Sequence, residues 1–284
     1  MIRAIGLAVH PSRDISEPLT ALRGWASDHD VELLQVGGGS QPAVARSGEA
    51  GECDVVVTIG GDGTALAGVR AAAPAGRPLL GVAFGSLGAL TTVAAEGLPG
   101  ALDCFAAGHW HAVRRPALAI RRGQEELVAY NDLALVRRED GQLRTRVELN
   151  GELYGRLAGD GILVSTPVGS SAYTLAAGGP LLAPGTDAFV LTPLPTHGGS
   201  IPPLVVPGGS VLRLEVTAAL RGARLELDGR TAGDHDGPLE VTLRRDAVQL
   251  VGLESGESLL TGLRQRGVIA DSPRILADDE RARA

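Results

Sequence analysis

The chain has 284 residues, 44% hydrophobic and 21% charged, with a net charge of −7 and aromatic residues at 3%. These globular values exclude wholesale disorder, the length suits one large domain or two of ordinary size, and the lack of an uncharged apolar run of about 18 residues excludes a transmembrane helix. Basic residues never run beyond pairs. That excludes a nucleic-acid footprint, and the few aromatics argue against stacking platforms for single strands. Arg13, Asp14 and Glu17 come too early for a secretory leader, which predicts a cytoplasmic protein without a membrane partner. Cys53 and Cys104 cannot build a disulfide framework or a four-thiolate zinc site, and both read as small buried hydrophobes.

Residues 1–112 alternate strands and helices. Ile5–Val9 is a short apolar strand. Ser16 and Pro18 read as a cap residue and an early-turn proline, ahead of Leu19, Leu22, Trp25 and Ala26 at helical spacing. Val31–Val36 is a second strand. Asp54–Ile59 is β-branched on both faces, as a strand covered on both sides should be. Thr64–Ala73 predicts a helix, Pro78–Ala83 a strand, and Leu98–Ala107 a helix. This alternation predicts a parallel sheet with helices on its faces.

From Val113 the pattern turns to period 2. Ala117–Arg121, Leu127–Val136 and Thr145–Leu149 read as strands, with Asn150-Gly151 as a type I′ hairpin signal. Val211–Val216, Arg224–Leu227 and Leu239–Leu243 continue the series, with Asp228-Gly229 as another tight turn. Residues 113–255 thus form a mostly β domain. From about Glu257 a helical pattern returns with Arg264, Arg266 and Arg274, and the polar last residues read as frayed.

The most informative local string is Ile59-Gly60-Gly61-Asp62-Gly63-Thr64. A buried strand ends, glycines flank one aspartate, and a helix begins. Glycine permits positive φ and close backbone approach to an anion, and the helix N-terminus adds partial positive charge. The string reads as a phosphate cradle. An aspartate there opposes the field unless it takes a proton from a hydroxyl nucleophile or helps hold Mg²⁺. The plainer alternative is a helix N-cap in a glycine-rich turn. No G-K-[ST] follows, so it is not a Walker A loop, and the Rossmann spacing is absent. The Gly-Gly-Asp-Gly-Thr string resembles the signature of a kinase superfamily that includes NAD kinases, diacylglycerol and sphingosine kinases and, more distantly, phosphofructokinases.

A second constellation runs Asp160–Tyr173, an apolar strand entering a Pro/Gly turn rich in hydroxyls, followed by Gly178-Gly179-Pro180. Small residues let a flat nucleotide lie against the backbone while hydroxyls and N–H groups meet its polar edges. With this segment the chain resembles the ATP-NAD kinase family. The matching stretches, in order, are Gly60–Thr64, Gly85–Thr91, Asn131-Asp132, Asp160–Tyr173, Gly178–Pro180, Leu191–His197 and Asp228-Gly229-Arg230. The resemblance covers residues 1–265.

It implies an N-terminal α/β, Rossmann-like domain over 1–112 and a C-terminal β-sandwich-like substrate domain over 113–255, with the substrate between them and 256–284 returning to the first domain. It implies phosphoryl transfer from ATP, or in some members polyphosphate, to the 2′-hydroxyl of the adenosine ribose of NAD, with a divalent metal, Mg²⁺ by preference. Asp62 matches the general base, and Gly60, Gly61, Gly63 and Thr64 the phosphate loop. Asn131 and Asp132 match the pair that contacts the nucleoside. Asp160, Ser171, Ala172, Tyr173, Thr174, Leu175, Ala176 and Arg230 match further nucleotide-contacting positions. No residue is assigned as a metal ligand. The partners implied are small nucleotides and a second copy of the chain, as a homodimer or homotetramer.

Several family positions differ. Phe84 stands for Asn, Ala89 for Phe, Ala158 for Arg, Val168 for Thr, Ala176 for Ser, Pro202 for Arg and Arg230 for Gln. These departures leave two alternatives open: a superfamily kinase with another acceptor (a modified dinucleotide, a nucleoside or a lipid), or a non-catalytic NAD(P)-binding protein. His10, His29, His109, His111 and His235 lack metal-ligand spacing, and His197 reads as organising its loop. Asp234-His235-Asp236 reads as a solvated turn, and Arg137-Arg138 as an exposed strand end.

Overall fold

The computed structural model describes residues 2–38, 41–85, 87–138, 141–183, 185–218, 223–254 and 259–283. Ser86, inside the Gly85–Thr91 motif, and Glu257, where the helical tail pattern begins, lie outside them. The chain forms two compact units, residues 1–71, 79–111 and 251–284, and residues 72–78 and 112–250.

The first unit is built on parallel strands β1 (Ala4–Val9), β2 (Glu32–Gln35), β3 (Arg46–Ser47), β4 (Val55–Gly60), β5 (Leu79–Ala83) and β6 (Val93–Ala94). Their order is β3-β2-β1-β4-β5-β6. Helices α1 (Ser16–Asp28), α2 (Asp62–Ala72) and α3 (Leu98–Ala106) cover the sheet. β4 shows why its sequence is apolar on both faces. Val55, Val57 and Ile59 share a core with Leu19, Leu22 and Trp25 of α1 and with Leu98, Leu102 and Phe105 of α3. On the other face Thr58 meets α2 so closely that a side chain at Gly68 would overlap it. Trp25 Nε1 donates to Asp103 Oδ1 at 2.7 Å, tying α1 to α3.

Ser16 is not the cap of α1 but its first helical residue. Its N–H and hydroxyl donate to Asp14 Oδ1 at 3.0 and 2.6 Å, so Asp14 is the residue that closes the turn. Cys53 is buried, whereas Cys104 is only half-buried.

The strands of the second unit, in chain order, are β7 (His111–Arg122), β8 (Glu125–Ala129), β9 (Asp132–Arg137), β10 (Leu143–Leu149), β11 (Glu152–Gly159), β12 (Gly161–Ser165), β13 (Ala188–Pro193), β14 (Leu204–Pro207), β15 (Leu212–Ala218), β16 (Ala223–Leu227), β17 (Arg230–His235) and β18 (Gly237–Gly252). One sheet runs β14-β13-β12-β9-β16-β17, antiparallel throughout. The other joins β11-β10-β15-β18 with β7 and β8. Inward residues of both sheets form one core, among them Leu118, Leu133, Ile162, Phe189, Leu214 and Val241. This is the expected β-sandwich-like architecture. Asn150 and Gly151 have φ of 51° and 85°, and Asp228 and Gly229 have 51° and 71°, the positive pair that type I′ hairpins require.

Three expectations need correction. Leu127–Val136 is not one strand: it breaks at Tyr130-Asn131 into β8 and β9. Asp234-His235-Asp236 is not a solvated turn, because Asp234 and His235 end β17, with His235 buried and Asp234 paired with Arg138. The tail is not frayed, since α6 (Pro273–Arg283) is helical. Before it come α4 (Tyr173–Ala176), in the second unit, and α5 (Leu259–Gln265), in the first. No described helix is long and apolar enough to cross a membrane.

Phe189 heads the largest fully buried side chains. Phe189→Ala leaves a cavity inside the sandwich and should cost about 3–5 kcal/mol, read as a lower urea midpoint. A loss below about 1 kcal/mol would mean that this core collapses to fill the space.

Candidate active site

In the first unit, β4 delivers Gly60 and Gly61 to the start of α2. Gly60 has no room for a side chain, because a Cβ would overlap Thr64. Thr64 and Ala65 donate their N–H groups to Gly61 O, both at 3.0 Å, and close the first turn. Asp62 and Gly63 open the helix, where the first N–H groups of any helix have no intrahelical acceptor.

Asp62 does not cap this helix. Its Oδ2 accepts the N–H of Ala89 and its Oδ1 the N–H of Leu90, each at 3.0 Å. Arg266 adds a guanidinium with Nη1 at 3.6 Å from Oδ2. The strip that supplies the two N–H groups is itself fixed. Gly88 N–H donates to Thr91 Oγ1 at 2.7 Å, and Thr92 N–H to Gly81 O at 2.9 Å. A side chain at Gly88 would overlap the Asp62 carboxylate, and one at Gly81 would overlap Leu90 O. Arg13 Nη1 donates to Phe84 O at 2.9 Å and adds a second guanidinium beside this loop.

The second unit holds the other constellation. Asp228 Oδ1 accepts N–H groups from Tyr130, Asn131 and Asp132 at 2.8, 2.7 and 3.4 Å. This is the physical reason the β8–β9 stretch breaks: the main chain turns toward a carboxylate instead of a ladder partner. The turn after β12 docks on the same place. Thr166 N–H donates to Asn131 O at 2.9 Å and its hydroxyl to Tyr130 O at 2.9 Å. Gly169 approaches Asn131 O so closely that a Cβ would overlap it. Asn131 Oδ1 is buried without a hydrogen-bond partner among the described residues. Asp132 is 7% exposed. Its burial, and then the Asp228 and Glu226 carboxylates, push its pKa up to about 7.

The remaining candidates divide. Tyr173, Ala172 and Ala176 are exposed, Leu175 is half-buried, and Ser171 Oγ donates to Val168 O at 2.9 Å. Thr174 is withdrawn: its hydroxyl is fully buried and shares a 2.7 Å hydrogen bond with Ser165 Oγ. The Asp160 carboxylate is engaged by Arg137 Nε at 2.6 Å. Arg230 is exposed at the start of β17. His197 acts through its main chain, whose N–H donates to Ala158 O at 2.9 Å. Sequence reasoning missed Arg266 at Asp62 and the task of Asp228. Arg266 carries no motif, whereas the αL turn at Asp228-Gly229 was visible and its carboxylate was the unused signal.

The Asp132 pKa makes a stability statement. An acid whose pKa rises on folding holds its proton more tightly in the native state, so its contribution is fully present below the unfolded value near 4 and is lost as pH rises through about 7. Asp132→Asn removes that slope. Its urea midpoint should fall less than the wild-type midpoint between about pH 4.5 and pH 7.5, and it should exceed wild type at the upper end. Parallel profiles would mean that Asp132 titrates as an ordinary carboxyl.

The model of the ATP-NAD kinase N-terminal domain matches residues 39–110, and that of the C-terminal domain matches residues 130–252. The NAD kinase of Koribacter versatilis is 31% identical over 281 residues, covering 93% of this chain and 98% of that protein. That of Bordetella pertussis is 34% identical over 247 residues, covering 81% and 83%. Among solved structures, yeast NADH kinase complexed with NADH superposes with a TM-score of 0.78 at 20% identity, covering 95% of this chain and 89% of that one. An NAD kinase from Archaeoglobus fulgidus in complex with ATP gives 0.71 at 21%, covering 89% and 94%. Together, the two domain matches and these full-length likenesses show that the chain belongs to the ATP-NAD kinase family.

Proposed function

We propose that this NAD kinase transfers the terminal phosphoryl group of ATP to the 2′-hydroxyl of the adenosine ribose of NAD, giving NADP. The observation that carries the reading is the anchored Asp62 carboxylate beside the open N–H groups of α2. Phosphoryl transfer needs positioning and charge neutralisation more than covalent help from the protein. Asp62 takes the proton of the acceptor hydroxyl. The hydroxyl oxygen forms its bond to the terminal phosphorus, the bond from that phosphorus to its bridging oxygen breaks, and ADP leaves with the electron pair. Polyphosphate in place of ATP would use the same atoms.

Residues 1–112 supply the donor's phosphate loop through Gly60, Gly61, Gly63 and Thr64. Residues 113–255 supply the acceptor's contacts, and 256–284 complete the first part. The orphaned Asn131 Oδ1 and the protonatable Asp132 suit the donor and acceptor edges of an adenine. Main-chain atoms and the exposed faces of Ser171, Ala172, Tyr173, Leu175 and Ala176 suit a flat nucleotide. Asp160, Thr174 and Arg230 belong to this reading as supports of the pocket: Asp160 through Arg137, Thr174 through Ser165 and Arg230 at the β16–β17 hairpin.

A resident metal does not fit the residues present. Among the described residues no group of three or more His, Cys, Asp or Glu could hold one. Mg²⁺ would therefore be supplied with the donor in this reading and would neutralise charge on its phosphates. The reading also carries a cytoplasmic location and assembly as a homodimer or homotetramer through the β-rich unit. Light scattering at micromolar concentration checks the assembly, and a strict monomer rejects it.

Asp62→Asn keeps size and one hydrogen-bonding oxygen but removes the proton acceptor. It should lower kcat by about 10²–10⁴-fold, with circular dichroism checking that the fold tolerates an amide nitrogen facing the N–H of Ala89 or Leu90. Retention of more than about a tenth of wild-type kcat at saturating ATP and NAD would reject Asp62 as the base. A panel of acceptors in the same coupled assay separates NAD from a modified dinucleotide, a nucleoside or a lipid. No turnover with any acceptor would point to a binding protein.

A further inference from the structure

Arg266 stands apart from the other arginines of the C-terminal segment. Arg264 spends its charge on Asp271, with Nη2 2.6 Å from Oδ2. Arg266 points the other way. Its Nε donates to Gly262 O at 3.2 Å, and its Nη1 faces Asp62 Oδ2 at 3.6 Å, beyond hydrogen-bond length. Asp62 does not need it, since both carboxylate oxygens already accept a main-chain N–H. A guanidinium has five N–H donors in a rigid fork. Among the described residues, only the Nε donor of this one makes a hydrogen bond.

The position of the fork is built, not incidental. Gly262 lies so close to Leu87 that a Cβ would stand 2.6 Å from its carbonyl oxygen, so α5 rests main chain against main chain on the strip that holds Asp62. Leu263 is 1% exposed and locks the helix down. Val268 N–H returns to Leu263 O at 3.0 Å, with Gly267 at φ 70° ending the helix beside Arg266. The Arg266 side chain stays 31% exposed, open to an incoming ligand.

A cation with unused donors, facing the Asp62 carboxylate at the first turn of α2, matches a chain of phosphates and not the dinucleotide's bases. We propose that Arg266 is a further catalytic residue: it rests against Asp62 while the donor site is empty and binds the oxygens of the donor's terminal phosphates when the donor enters. Its fork then meets the charge that spreads over those oxygens in the transition state. The inference rests on the reading of Asp62 and its turn as the phosphoryl-transfer site.

The test is calorimetric binding of inorganic tripolyphosphate, and of NAD separately, to the full chain carrying Arg266→Ala or Arg266→Lys. Arg266→Ala should weaken tripolyphosphate by about tenfold or more, the worth of one charge-assisted contact, and leave NAD within about twofold. Arg266→Lys should recover part of the loss, since it keeps the charge but not the fork. In turnover, kcat should fall in Arg266→Ala, and millimolar guanidinium ion should restore part of it, which a merely structural defect would not allow. Tripolyphosphate affinity unchanged within about twofold in Arg266→Ala overturns the proposal. If circular dichroism shows that this variant does not fold, Arg266→Gln, which keeps the stem to Cδ and a nitrogen donor for Gly262 O where Nε stands, carries the same comparison. Full activity in Asp62→Asn would defeat the base and leave the tripolyphosphate result standing, so the two failures are distinguishable.

Discussion

The first unit depends on close approach to the main chain at positions without side chains. A Cβ at Gly60 would overlap Thr64, one at Gly81 would overlap Leu90, and one at Gly88 would overlap the Asp62 carboxylate itself. With those positions bare, the 87–92 strip lies on β5 and presents two N–H groups to one carboxylate. Hydrogen bonds to a charged group are worth about 1.5–3 kcal/mol each, enough to hold Asp62 away from its default task of capping α2. The result is a carboxylate with little rotamer freedom left to lose, held by backbone donors that are themselves fixed. Donors and charges fixed in advance are the condition for electrostatic help without reorganisation.

The second unit solves the opposite problem. Asp132 is buried beside the Asp228 and Glu226 carboxylates, and its burial first, then their charges, push its pKa up to about 7. The repulsion is tolerated because Asp228 is held by three main-chain donors and Glu226 by Arg224 Nε at 2.6 Å. Among the described residues Asp132 has no such partner, and it favours its proton. Perturbed carboxyls of this kind gather where chemistry or recognition is arranged. The same Asp228 that sets the β16–β17 hairpin through its positive φ also breaks the β8–β9 stretch, so one residue fixes both walls around Asn131.

Much of this was legible in the sequence where local physics dominates. The strand–glycine–helix passage at Ile59–Thr64, the two hairpin pairs at Asn150 and Asp228, and the change of period near Val113 follow from φ preferences and side-chain alternation. What stayed hidden depends on distant partners. Leu127–Val136 alternates well enough for one strand, and only the Asp228 carboxylate, about a hundred residues on, divides it. Ser16 looks like a cap until Asp14 claims it. Thr174 looks like a ligand hydroxyl until Ser165 takes it into the core. β3 and β6 have only two residues each, too few for any period to show.

The departures from the family pattern fall unevenly on these two kinds of construction. Ala89 replaces an aromatic, yet its task at Asp62 is carried by its N–H, which any residue but proline supplies. Val168 is 7% exposed, and its contribution to the turn is the carbonyl that accepts Ser171 Oγ, so loss of a hydroxyl there leaves no buried polar group unpaired. Pro202 likewise serves through its carbonyl, which accepts the Tyr154 hydroxyl at 2.7 Å. The turn around Asp62 is also held by main-chain N–H groups, so change at Ala89 leaves its hydrogen bonds in place. Ala176 and Arg230 differ in kind: they lie on exposed surface, so substitution there changes what the surface presents and not how the backbone is held.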